Sequence, residues 1–145
     1  MFGDTLAQIE RSCASEIVVW GLACLIVGGG LLIVARRGSA RSDLIAHFAL
    51  QTMTWGSAET LLALAWRYGI EVRDLAGASR LDRLLWLGDG LAIGVVAVGL
   101  AITVIGARVS GRAPSLLGTG IAITIQGAAV LLVLSRLIGS LATVL

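Results

Sequence analysis

The sequence predicts an all-α protein, an antiparallel four-helix transmembrane bundle with a short amphipathic helix at its N-terminus. Three observations carry that expectation. Apolar residues make up 57% of the 145 residues and charged residues only 14%. The mean hydropathy is +0.95, well above that of water-soluble domains. Apolar stretches of about 20 residues recur along the chain, each bounded by Arg and each long enough to cross a hydrocarbon core of about 30 Å. Such spans consume most of the length, so residues 1–145 are expected to form one integral membrane domain without a water-soluble catalytic domain.

The first span covers residues 17–35, an uncharged run between Glu16 and Arg36. The segment before it carries Asp4 and Glu10 in place of a basic region, which argues against a signal peptide. Within that segment Phe2, Leu6, Ile9 and Cys13 recur at helical spacing after Phe2, which predicts a separate helix lying in the membrane interface. The second, third and fourth spans read as residues 44–66, 84–107 and 115–135. Ser79 followed by Asp82 has the form of a capping box and starts the third helix near Arg80. Pro114 stands in the first turn of the fourth helix, where its missing N–H costs nothing.

The first and third connections are short and basic, with Arg36, Arg37, Arg41, Arg108 and Arg112. Arg11, Arg67, Arg73, Arg80, Arg83 and Arg136 fall on the other side, so the count alone barely decides orientation. The flanks of the first span, Arg11 against Arg36 and Arg37, put both termini outside, in the periplasm of a cell whose inner membrane holds the protein. Trp20, Trp66, Tyr68 and Trp86 gather toward the same side as interfacial anchors. The net charge of +2 gives no reason to expect nucleic acid as a partner.

Two carboxylates stand inside the spans, Glu59 in the second and Asp89 in the third. An acidic side chain at bilayer depth costs roughly 2.5 to 3.5 kcal/mol and marks a candidate site. Counted inward from the connection that joins their helices, both lie at similar depth, with Gln126 of the fourth span near the midplane. Glu59, Asp89 and Gln126 therefore form a candidate polar cluster. It could share a proton or recruit a cation, or simply fix helix register through hydrogen bonds or an ion pair with Arg67 or Arg83. His47, Gln51, Trp55 and Glu59 recur every four residues and are expected to make an inward polar stripe.

His47 is the only histidine. One axial imidazole is compatible with a chlorophyll-type pigment, but an interhelical hydrogen bond is the simpler role, and no cofactor is expected. No catalytic constellation, zinc spacing or phosphate loop appears, so neither an enzyme nor a metal site is expected. Cys13 and Cys24 are too far apart along one helix to form a disulfide together. Small residues at helical spacing, Gly90 with Gly94 and Gly120 with Ala128, are expected to pack helices closely.

Phe48, Trp55 and Gly56 in the second span, Asp89 in the third, and Gly118, Gly120, Ala122, Gln126, Gly127 and Ala128 in the fourth resemble the pattern of a family of small four-span bacterial membrane proteins of unknown function. Glu59 stands where that pattern has Asn, and the first-span counterpart reads Trp20, Gly21 and then Cys24. The resemblance implies the four-span architecture and the choice of polar positions; it implies no activity.

Two functions are expected from these features. The first is a non-enzymatic subunit packing onto a larger membrane assembly, an energy-converting one among the possibilities, with the lipid bilayer and other subunits or copies of itself as partners. The second is a small oligomeric proton- or cation-coupled transporter using the intramembrane carboxylate pair.

Overall fold

A computed structural model of the chain describes residues 2–37, 42–109 and 113–143. Arg41 and Arg112 lie outside the described residues, as does the side chain of Phe2. The elements are α1 (Phe2–Ala35), α2 (Ser42–Tyr68), α3 (Leu75–Arg108) and α4 (Ala113–Ala142). Three of them, α1, α3 and α4, are long and apolar enough to cross a membrane. The second segment does not join that group, because Asp43, His47, Gln51, Glu59 and several hydroxyl residues dilute its apolar content.

Small residues set the packing. In α1 the buried positions Ala7, Ala14, Gly21, Gly28 and Ala35 recur every seven residues. The buried face of α2 is Ala49, Thr52, Gly56, Glu59 and Ala63, an alternation of three and four. The two stripes meet in antiparallel order. A Cβ added at Gly21 would lie 2.6 Å from the Gly56 carbonyl oxygen, and one added at Gly56 would lie 2.7 Å from the Gly21 carbonyl oxygen. Each seven-residue step up α1 is matched by one down α2, so Gly28 meets Ala49 and Met53, while Ala7 and Ala14 cluster with Ile70.

The second hairpin repeats the device. Ala78, Leu85, Ala92, Gly99 and Gly106 form the buried heptad stripe of α3. Gly99 opposes Gly120 and Thr124 of α4, Gly120 opposes Gly99 and Thr103, and Gly127 opposes Val95 and Val96. Thr60, Thr103 and Thr124 donate their hydroxyls to the carbonyls of Gly56, Gly99 and Gly120 one turn earlier, which satisfies them inside the crossings. Without Cβ atoms the backbones approach until dispersion and the carbonyl contacts hold them, as suits helices that meet in hydrocarbon.

Helix α4 joins the hairpins. It packs on α3, on α2 and more sparingly on α1, whereas α2 and α3 share no backbone contact among the described residues. Gly118 admits α2 at Leu44 and Phe48. Large apolar side chains such as Ile26, Leu61, Leu62, Leu87, Leu91 and Leu132 remain well exposed around the bundle. At the end carrying both termini, Leu6 and Cys13 of α1, Ala78, Leu81 and Leu85 of α3, and Leu137 and Leu141 of α4 close a compact core.

Two local expectations are corrected. Residues 2–15 do not form a separate interfacial helix, because neither Gly nor Pro interrupts residues 4–20 and the segment runs on into the apolar part of α1. Leu6 and Cys13 bury against α3 and α4 instead of facing lipid. The start of α3 is set by Asp74, whose carboxylate accepts from the Gly77 N–H at 2.7 Å, so Ser79 and Asp82 fall within the helix and do not cap it.

Candidate functional site

Polar side chains within the bundle collect in separate places. Gln126 is 1% exposed, and its Oε1 accepts from the Trp20 indole N–H at 2.8 Å while its Nε2 donates to Cys24 Sγ at 3.2 Å. Its partners are thus on α1, and no hydrogen bond joins it to either carboxylate. Trp20, Cys24, Phe48, Thr52 and Gln126 border a small cavity of about 150 Å³, and the buried Thr52 hydroxyl has no hydrogen-bond partner.

Glu59 is 6% exposed, and neither carboxylate oxygen has a hydrogen-bond partner. It lines a cavity of about 210 Å³ with Trp55 of α2, Leu91 and Ala92 of α3, and Gln126 and Gly127 of α4. A second cavity, of about 390 Å³, shares Trp55, Leu91 and Val95 with the first and extends past Gly90 and Gly94. Together they make a groove with α4 as floor and α2 and α3 as walls, and the absence of contact between those walls keeps it open. Glu59 sits at its bottom because the heptad stripe of α2, not a four-residue stripe, sets the inward face.

The expected cluster is therefore only partly assembled. Glu59 and Gln126 line one cavity, but Asp89 is only half-buried and accepts from the Ser135 hydroxyl at 3.0 Å on the flank of α4. A directly hydrogen-bonded carboxylate pair does not form, since α3 packs on α4 and not on α2. The inward stripe is corrected too: His47 is exposed, Gln51 and Trp55 are half-buried, and only Glu59 is enclosed. Steps of four residues wind about 40° each around the helix, so a stripe of four such positions cannot keep one face. Gly120 packs against α3, whereas a Cβ at Gly90 or Gly94 would meet nothing within 4 Å; these two glycines face the groove and pack no helix of this chain. Ala128 is half-buried on α4.

Sequence reasoning missed a buried, multiply bonded charge near the terminal end of the bundle. Glu10 is fully buried, receives Arg73 Nε at 2.9 Å and Nη2 at 3.2 Å, and accepts from the Trp66 indole N–H at 3.3 Å. The bond to Glu10 holds the Arg73 guanidinium above its usual range. The clamp ties α1 to the α2–α3 connection. Its available signal was the placement of Glu10 between Leu6 and Cys13 on the apolar face of α1. Nearby, Arg67 donates to the Ser15 hydroxyl at 3.1 Å, and Arg136 pairs with Glu16 at 3.7 Å.

Among the described residues no group of three or more His, Cys, Asp or Glu side chains could hold a metal ion. Cys13 and Cys24 are both free and buried. A model of a family of unknown function matches residues 16–134, which takes in the groove, Glu59, Asp89 and Gln126 and leaves out Glu10. No curated protein and no solved structure matches the chain significantly.

Proposed function

The chain belongs to the family of unknown function DUF6992, and we propose that it is a non-enzymatic membrane subunit whose α2–α3 groove seats a helix of a larger bacterial inner-membrane assembly. Energy-converting complexes are the first assemblies to test. The termini face the periplasm in this reading, with Arg36, Arg37 and Arg108 at the cytoplasmic end.

The observation that carries the reading is the unpartnered Glu59 carboxyl at the bottom of an apolar groove. A buried polar group without a hydrogen bond costs on the order of 1 to 3 kcal/mol, and a charged one more. A neighbouring helix that brought a donor to this depth would remove that cost. Gly90 and Gly94 on the rim would let its backbone approach closely.

The test is purification from native membranes in mild detergent. Wild-type protein brings one membrane partner along at fixed ratio, and Glu59→Leu or Leu91→Trp loses it while remaining folded. A stable homo-oligomer of this chain alone would refute the reading.

A transporter working through Glu59 alone is the second reading, favoured by the same unpartnered carboxyl. It requires ion flux in reconstituted vesicles that Glu59→Gln abolishes and Asp89→Asn spares. The version that depends on a hydrogen-bonded carboxylate pair has no support in the geometry.

A further inference from the structure

On the opposite side of α4 a second groove of about 610 Å³ runs between α1 and α4, which touch only sparingly. Its inner walls are apolar, with Val19, Ala23, Ala129 and Leu132. Its outer end is polar, with Ser12, Ser15, Glu16 and Arg136. Glu16 and Arg136 are the first charges met on leaving the uncharged stretches of α1 and α4, and they face each other at 3.7 Å. The apolar part extends inward from that level for seven residues on each helix, about 10 Å.

The geometry points to a bound anionic phospholipid, one acyl chain lying in the groove and its phosphate at Arg136. A groove that grades from hydrocarbon-like walls to a charged rim along the helix axis matches the polarity of a lipid. The rim charge selects the headgroup. Arg136 leaves 77% of its side chain exposed beyond its long contact with Glu16, and Arg67 reaches the rim through Ser15. Two guanidinium groups against one carboxylate leave a net positive mouth, to which Arg brings bidentate phosphate recognition. The inference rests on α1 and α4 crossing a bilayer and is independent of any occupant of the α2–α3 groove.

The test reconstitutes the full chain in vesicles of equal phosphatidylglycerol and phosphatidylcholine with matched chains, re-extracts it in mild detergent, and counts retained lipid by native mass spectrometry. Phosphatidylglycerol is retained in preference. Arg136→Gln lowers the preference about fivefold, the usual worth of one Arg at an anionic surface. Glu16→Gln raises it, a gain that misfolding does not produce. Ala129→Leu, which fills the groove, lowers retention of both lipids. Equal retention of the two lipids by wild type, or a preference indifferent to both charge variants, overturns the proposal. Displacement by soluble glycerol phosphate as readily as by lipid also overturns it, in favour of a plain phosphate site. Carbonate extraction of the membranes checks separately that the chain is integral.

Discussion

Replacing Gly56 by Ala probes the α1–α2 crossing with a single methyl group. The added Cβ would lie 2.7 Å from both Cys24 Cβ and the Gly21 carbonyl oxygen, against 3.4 to 4 Å for ordinary contact. The helices must then part by about 0.7 Å at their closest point, and one of the two obstacles is backbone, which cannot rotate aside. Overpacking of this kind costs about 1 to 3 kcal/mol. Gly29→Ala is the matched control. It adds the same methyl eight residues beyond Gly21 on α1, where nothing lies within 4 Å, and gains up to about 1 kcal/mol of helix propensity. Gly56→Ala gains the same propensity, so the overpacking alone should separate the two variants by about 1 to 3 kcal/mol. Unfolding each purified protein in dodecyl maltoside with increasing SDS, followed by circular dichroism, reads that difference. Equal midpoints, or a Gly56→Ala protein more resistant than Gly29→Ala, would refute the small-residue crossing.

Other outcomes follow from the polar groups. Arg73→Ala strands the buried Glu10 carboxylate and costs about 3 kcal/mol in the same assay, and the double variant Glu10→Gln with Arg73→Met recovers part of it. Since the folded-state value of Arg73 is raised, its contribution is fully present below the unfolded value and is lost only as pH rises through the folded one. The effect of Arg73→Ala on the SDS midpoint should consequently not weaken as pH rises from about 6 to 9, far below the range in which a guanidinium titrates. Glu59→Leu leaves the isolated chain as stable as wild type or more so, because it removes an unpartnered polar group, whereas Gln126→Leu destabilises by taking the acceptor from Trp20. Asp89→Asn stays within about 0.5 kcal/mol of wild type, since its carboxylate is only half-buried and bonded to Ser135.

The helical class and the apolar segments were legible because bilayer-length runs of uncharged residues leave few other solutions. The packing register was legible as well, in Ala7, Ala14, Gly21, Gly28 and Ala35, although a close pair such as Gly90 and Gly94 is the more conspicuous pattern. The closest α1–α2 and α3–α4 approaches fall on positions seven residues apart, and spacing four at one place on a helix does not say which face that is. The placement of α3 was not legible. Antiparallel spans joined by a short connection suggest that α2 and α3 are neighbours, yet α4 takes the position between them through Gly120 and Gly127 toward α3 and Gly118 toward α2. This is why Glu59 and Gln126 line a common groove and Asp89 stands apart. The Glu10–Arg73 pair was not legible because Glu10 lies beyond the apolar run, where an acidic residue looks solvated, and Arg73 is 63 residues away in the chain.

Photocrosslinking in native membranes tests most directly whether the groove between α2 and α3 seats another helix. A benzophenone side chain at Leu91, in the groove, is compared with one at Val34, exposed on α1. One discrete adduct with a different membrane protein is expected from Leu91, lost when Glu59→Leu is added, and none from Val34. The same adducts from both positions, or an adduct from Leu91 that Glu59→Leu leaves unchanged, would contradict it.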